Sequence, residues 1–274
     1  MTRLIPFPNR ATPAGADAVR VAYDALAPAY DAITAGLRDD DVWLAELELI
    51  AQSHGLGGRR VLDIACGTGA SFIPLLDRGY AVTACDVSPE MVRRAVGKAP
   101  DAAVVIADMR ALPELGQFDL VTCLEDAFNC LLHAGDARAA LQGFARSLAP
   151  GGIAVWDANT LGLIRTCFSC DWVADRGEWF LAWHGTGPRD LGLGGVAEAR
   201  IDAFRHRGAT WLRSTSRHRQ RHWPIPEITR LAREAGLDVL EVLGQSRAGV
   251  ELVSGVDEGE HFKAVFVARR AADS

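Results

Sequence analysis

Residues 61–72 read V-L-D-I-A-C-G-T-G-A-S-F, an apolar run that closes on Gly-x-Gly and carries one aspartate, Asp63, inside it. Glycines at 67 and 69 let the backbone take positive φ and approach a ligand closely. A helix starting just beyond them aims unpaired N–H groups at whatever lies there. The same kind of short apolar run recurs at 81–86 (A-V-T-A-C-D), 103–108 (A-V-V-I-A-D), 118–124 (F-D-L-V-T-C-L) and 153–159 (I-A-V-W-D-A-N). Near-continuous apolar strands separated by helical stretches imply a parallel sheet covered on both faces. Ser88-Pro89-Glu90 marks one intervening helix by its cap and first-turn proline. A second is expected from about 136 to 148, ending at Pro150-Gly151-Gly152. Right-handed crossovers then give a doubly wound α/β fold.

At 274 residues the chain suits one large domain with an insertion. A hydrophobic share of 49% and a charged share of 23% are those of a globular protein with a real core. The net charge of −6 gives no global field for nucleic acid or anionic membrane. No apolar run reaches membrane-spanning length, and the first ten residues lack a signal-like core, so a cytoplasmic location is expected. Six cysteines read as reduced thiols. Cys167 and Cys170 form a lone C-x-x-C without the further ligands of a zinc site, and no metal is expected.

The expected organisation has four parts. An N-terminal helical flap covers 1–55 and an α/β core 56–160. An inserted antiparallel cover spans 161–223, and the core resumes at 224–274. Within the cover, 196–223 alternates as strands do. A helix is expected over 226–236, with strands near 238–243 and 261–268.

Open parallel sheets bind ligands at the carboxyl ends of their strands, where strand order reverses. Asp86 ends the second run, 19 residues after Gly67, a spacing that suits a carboxylate accepting from ribose hydroxyls. Asp108-Met109 ends the third, offering an acceptor and a soft flat contact for an adenine ring. Glu125-Asp126 closes the fourth. A dinucleotide site prefers glycine where Phe72 stands, and a pyrophosphate gains nothing from Asp63. These acids favour a cationic ligand, an amino acid carrying a sulfonium, over NAD.

The motifs V-L-D-I-A-C-G-T-G, V-T-A-C-D-V-S-P-E-M, I-A-D-M-R-A-L-P, F-D-L-V-T-C-L-E-D-A-F-N-C-L-L and L-A-P-G-G-I-A-V-W-D-A-N-T resemble, in order, those of class I S-adenosylmethionine-dependent methyltransferases. The resemblance covers about 20–160 and implies a Rossmann-like sheet of seven strands, the last antiparallel, supplied by 261–268. It further implies S-adenosylmethionine as cofactor, leaving as S-adenosylhomocysteine. Asp63 and Gly67 would line its methionine part, with Cys66 and Gly69 completing the loop through their backbone. Asp86 would hold the ribose, Val87 and Met91 would lie against the adenine, and Asp108 would accept from the adenine amine while Met109 packs on the ring. The Leu124 carbonyl would sit near the cofactor amine. Tyr23 and Tyr30, in Y-D-A-L-A-P-A-Y-D, resemble the closing flap of small-molecule methyltransferases.

Methyl transfer requires in-line alignment and, for an ammonium, phenol or alcohol, loss of a proton. Glu125, His133, His218 and His222 are the candidate bases, and Asp126, Asn129 and Trp179 the candidate acceptor contacts. Residues 205–223 hold six arginines, three histidines and no acid. An exposed strand face, a subunit contact or recognition of an anionic substrate group explains them better than nucleic acid does. The expectation is a methyltransferase of a small organic acceptor, N-methylation ahead of O-methylation. A Rossmann-type oxidoreductase is the alternative, and a homodimer is left open.

Overall fold

β1 (Arg60–Ile64) is buried from Val61 onward, as a central strand covered on both faces must be. The elements preceding it in this computed structural model, which describes residues 16–37, 39–246 and 250–271, are α1 (Ala16–Thr34) and α2 (Asp40–Ser53). After β1 come α3 (Ile73–Asp77), β2 (Ala81–Asp86), α4 (Pro89–Lys98), β3 (Ala103–Ile106), β4 (Phe118–Cys123), α5 (Ala134–Ser147) and β5 (Leu148–Asn159). The insert comprises α6 (Leu161–Cys167), β6 (Asp171–Arg176), β7 (Trp179–Gly185), β8 (Val196–Arg207) and β9 (Thr210–Arg221). α7 (Ile225–Glu234), β10 (Leu237–Gln245), β11 (Leu252–Ser254) and β12 (Lys263–Arg270) complete the chain. Residues 1–15 of the expected flap and 272–274 of the C-terminal part lie outside the described residues.

The main sheet has the order β11-β10-β12-β5-β4-β1-β2-β3, with β12 antiparallel to both neighbours. The expected Rossmann-like fold is present, with eight strands rather than seven. The additional one, β11, is three residues long and pairs with β10 through Gly244 and Gln245. Strand order reverses between β1 and β4, which pair in parallel from Val61↔Leu120 to Asp63↔Thr122. One face of the sheet packs with α5 and α7 around Phe128, Phe144, Trp156, Leu231 and Phe266. The other packs with α2 and α4 around Trp43, Val61, Phe72, Tyr80 and Val92. Within the expected 1–55 flap, then, α2 is part of the core layer, and α1 is the element that reaches the cover.

Local chemistry sets the boundaries. Ser88 Oγ accepts from Met91 N at 3.1 Å and opens α4 as the serine-proline pair implied. β1 stops two residues short of the expected run because Ala65 turns at φ +59°. Pro150-Gly151-Gly152 does not separate helix from strand. β5 begins at Leu148, and the three residues form a bulge between the Phe118↔Leu148 and Leu120↔Ile153 pairs.

The insert is a four-stranded antiparallel sheet, β6-β7-β8-β9, preceded by α6. Ala29 of α1 packs on Leu181 and Ala203, so one helix bridges the cover and the core. Five of the six arginines in 205–223 pair with acids: Arg205 with Glu178, Arg213 with Asp202, Arg217 and Arg219 with Glu198, and Arg221 with Glu227. Among the described residues no helix is long and apolar enough to cross a membrane, and no cluster of side chains is able to hold a metal ion.

Trp156 is wholly buried and stacks on Phe266 with ring centroids 5.1 Å apart. Trp156→Ala is expected to lower unfolding free energy by about 3–5 kcal/mol in urea titration, because the site is walled by two strands that cannot collapse into the gap.

Candidate active site

Gly67 has φ +53° and Gly69 φ +105°. At φ +105° Gly69 takes a conformation that other residues rarely adopt, so the turn needs glycine there for its backbone. Asp86 Oδ2 accepts from Gly67 N at 2.9 Å and Oδ1 from Ser88 N at 2.8 Å, which fixes the turn against the end of β2. Asp63 is fully buried behind the turn. Its carboxylate accepts from Ser71 Oγ at 2.5 Å and Thr122 Oγ1 at 2.6 Å. The strand charge therefore joins the glycine turn to β4 and does not itself line the cavity, a correction to its expected contact with the methionine part. Cys66 is likewise buried, with Sγ on the neighbouring Gly67 carbonyl.

A cavity of about 1100 Å³ lies between the carboxyl ends of the main sheet, α1 and the cover sheet. Pockets for one drug-sized ligand run roughly 300–1,000 Å³, so this one has room for two reactants. Tyr23, Tyr30, Val87, Asp108 and Met109 line it. An adjoining recess adds Gly67, Asp86, Met91 and Leu124. Asp108 is less available than expected, because Arg110 grips it through Nε at 3.0 Å and a terminal nitrogen at 2.7 Å. To accept from an adenine amine it has to share an oxygen with that guanidinium.

The repeated Tyr-Asp pairs of α1 divide their work. Tyr23 and Tyr30 face the cavity, rings 6.5 Å apart. Asp24 accepts from Ser88 Oγ at 2.6 Å, and Asp31 from Thr68 Oγ1 at 2.5 Å and Lys98 Nζ at 2.8 Å. The helix is thus pinned to the glycine turn and to the start of α4 by acids the sequence reading passed over. Their spacing of seven, two helical turns, was the available signal.

At the acceptor side, Glu125 and Asp126 occupy left-handed conformations, φ +62° and +59°, at the end of β4. For non-glycine residues each costs about 1–3 kcal/mol and persists only when its surroundings impose it. Both line the cavity, as do His133 and His218. His133 is the residue preceding α5 and is exposed. His218 is buried, with Nε2 2.8 Å from Ser216 Oγ and its ring edge-on to Tyr23 at 5.1 Å. Burial pushes its pKa down to about 4, so it is neutral at pH 7.

Three of the residues expected on the acceptor side are not on the cavity wall. His222 is fully buried, bonded to Glu258 at 2.6 Å and to Gly194 N at 3.1 Å. Asn129 is fully buried and spends its amide on Asn159 N and the Arg221 carbonyl. Trp179 lies under the Arg205 guanidinium at 5.5 Å. The aromatic wall instead comes from Trp172 and Trp183, stacked 5.7 Å apart, with Phe168 edge-on to Trp183. Trp172 and Trp183 alternate correctly along a hairpin, but only its register places them together.

A methyltransferase domain model matches residues 61–152. The cypemycin N-terminal methyltransferase of a Streptomyces species is 32% identical over 202 residues, covering 71% of this chain and 79% of its own. The chain belongs to the class I S-adenosylmethionine-dependent methyltransferases. Its fold is shared with a S-adenosylmethionine-dependent methyltransferase from Clostridium acetobutylicum ATCC 824 (TM-score 0.77, 21% identity, covering 91% of this chain and 99% of that one). It is shared too with the sugar N-methyltransferase KedS8 from Streptoalloteichus sp. ATCC 53650 (TM-score 0.68, 19% identity, 87% and 90%). S-adenosylmethionine is the cofactor. The residues fit it: Asp63 and Asp86 are buried at the turn, and among the described residues no lysine or arginine bonds to either.

Burial raises Asp63, Asp86 and Asp126 each to about 6. Between the ordinary carboxylate range and pH 6 the folded, ligand-free chain therefore binds more protons than the unfolded chain, and its stability rises as pH falls from about 7 to 5. A cationic ligand favours the ionised forms, so S-adenosylmethionine affinity is expected to fall over the same window, with proton release near pH 6 in calorimetry run in two buffers. Asp86→Asn should weaken S-adenosylhomocysteine binding by an order of magnitude or more in the same titration, about 1.4 kcal/mol per tenfold.

Proposed function

We propose that the enzyme methylates an amine nitrogen of a small organic acceptor. The observation that carries this reading is the pair of acids, Glu125 and Asp126, held in left-handed conformations on the cavity wall beyond the glycine turn. An acceptor amine arrives as an ammonium, which two carboxylates are suited to hold. A phenol or alcohol brings no cation to that place. The Trp172–Trp183 ledge and Ile201 offer an apolar seat for the acceptor's body. Two of the similar proteins support this reading, the cypemycin N-terminal methyltransferase and the sugar N-methyltransferase KedS8, while others of similar identity are O-methyltransferases.

When bound, the cofactor supplies a methyl group on a sulfonium. Asp86 and the Gly67 turn would hold its ribose and amino-acid parts, with Val87, Met91 and Met109 against the adenine. Tyr23 and Tyr30 close the near side and exclude water, and burial keeps both phenols protonated. The ammonium must shed a proton before its lone pair can attack. Asp126, raised to about 6, takes that proton more readily than His218, lowered to about 4. His218 then serves as a neutral wall and hydrogen-bond partner, and His133 lines the rim. Alignment of nitrogen and methyl inside a dry chamber supplies most of the acceleration.

The test is a methylation assay with matched pairs, such as benzylamine against benzyl alcohol and glucosamine against glucose, with the methylated atom located by mass spectrometry. Amines are expected to react and their hydroxyl counterparts not to; the reverse outcome overturns the nitrogen assignment. Asp126→Asn should lower kcat/KM by about 10²-fold, in the range of a lost general base, with S-adenosylhomocysteine affinity retained.

A further inference from the structure

Behind Glu125 and Asp126 stands an arrangement set back from the cavity wall. Asp157, near the end of β5, is fully buried. Its Oδ2 accepts from Glu125 N at 2.8 Å and its Oδ1 from Asp126 N at 2.6 Å, so one carboxylate takes both N–H groups of the left-handed pair. Lys263, the first residue of β12, is buried beside it, with Nζ 3.2 and 3.3 Å from the two Asp157 oxygens. The same Nζ lies 3.6 Å from Glu125 Oε1. Two residues along β5, Asn159 Nδ2 donates to Asp126 Oδ2 at 2.9 Å.

We propose that Asp157 and Lys263 are positioning residues for methyl acceptance, fixing from behind the backbone and carboxylates of Glu125 and Asp126 that meet the acceptor amine. This rests on the reading that those two acids face the acceptor. The two N–H groups converge on separate oxygens of one carboxylate. That fork sets the orientation of both peptide planes, which a single bond or water would leave free to rotate. The ammonium then balances Asp157 and draws the Glu125 carboxylate to one place. A buried ion pair contributes little to stability compared with apolar side chains of the same volume. Its use here is geometric, and displacement of reacting groups by about 1 Å costs on the order of 10²-fold in rate.

The experiment compares Lys263→Met, Lys263→Arg and Asp157→Asn in the full chain. It measures S-adenosylhomocysteine affinity, steady-state kinetics with the best amine of the panel above, and hydrogen exchange of peptides spanning 124–130 and 61–69. Lys263→Met is expected to keep cofactor affinity within about threefold while kcat falls about 10²-fold. Lys263→Arg should recover most of that loss. Asp157→Asn, isosteric and able to accept on one oxygen only, should speed exchange at 124–130 and leave 61–69 unchanged. It carries the test if Lys263→Met does not fold. Unchanged kcat in Lys263→Met, or unchanged exchange at 124–130 in Asp157→Asn, overturns the proposal. Glu125→Gln and Asp126→Asn run alongside separate two failures. If both retain full activity, the acceptor-facing role of these acids is lost. If both are impaired while the Asp157 and Lys263 variants are not, only the positioning role is.

Discussion

The Asp63 carboxylate accepts from Ser71 in the glycine turn and from Thr122 on β4, and no cation among the described residues bonds to it. Two hydroxyls and one acid thus join three segments where strand order reverses, and the turn takes its shape between them. Burying that charge is costly, and burial accordingly lifts its pKa to about 6. Asp86, fixed on the other side of the turn by Gly67 N and Ser88 N, shares the same fate. Among the described residues no lysine or arginine bonds to Asp63 or Asp86, so this part of the edge lacks a positive partner. A sulfonium ligand with an ammonium supplies one, whereas a diphosphate meets only repulsion. The preference for this cofactor therefore begins in the way the turn is anchored.

Closure follows from the same economy of contacts. α1 presents its tyrosines to the cavity and spends its aspartates on Ser88, Thr68 and Lys98, groups that belong to the cofactor turn and the helix after it. The helix also carries Ala29 onto the cover sheet. One element thereby senses the cofactor loop and the acceptor chamber together. The chamber's own lining is mixed, with stacked tryptophans on one side and acids on the other. The arginines of β9 do not change that balance, since most are already paired with Glu198, Asp202 and Glu227.

The strands of the core and the cavity edge were legible because the apolar runs of β1 to β4 end at or beside a residue that lines the cavity or its adjoining recess. Gly67, Asp86, Met109 and Glu125 all sit at such ends, and local pattern suffices to find them. The cover was harder. Alternation locates β8 and β9, but not the β6–β7 hairpin whose register stacks Trp172 on Trp183. Trp179, from the same hairpin, was assigned to the chamber and lies on Arg205. His222 and Asn129 have chemistry-bearing side chains in suggestive places, yet both are consumed by partners far along the chain, Glu258 and Asn159. Spacing tells which face a residue takes; it does not tell what distant strand arrives opposite.

Chain direction explains how Lys263 reaches the ligand edge. In a parallel sheet every strand begins at one edge and ends at the other, so all the first residues lie far from the ligand edge. β12 runs against its neighbours, pairing Lys263 with Asn159 and Arg269 with Ile153. Its first residue therefore stands among the last residues of β4 and β5. Only a reversed strand brings a lysine from the beginning of an apolar run to carboxylates at the ends of others. A parallel β12 would place that ammonium at the opposite edge of the sheet, and Asp157 would be left as a buried charge with two N–H groups and no counterion. Reversal of the final strand thus serves more than edge pairing: it delivers an ammonium to the carboxylates at the ends of β4 and β5.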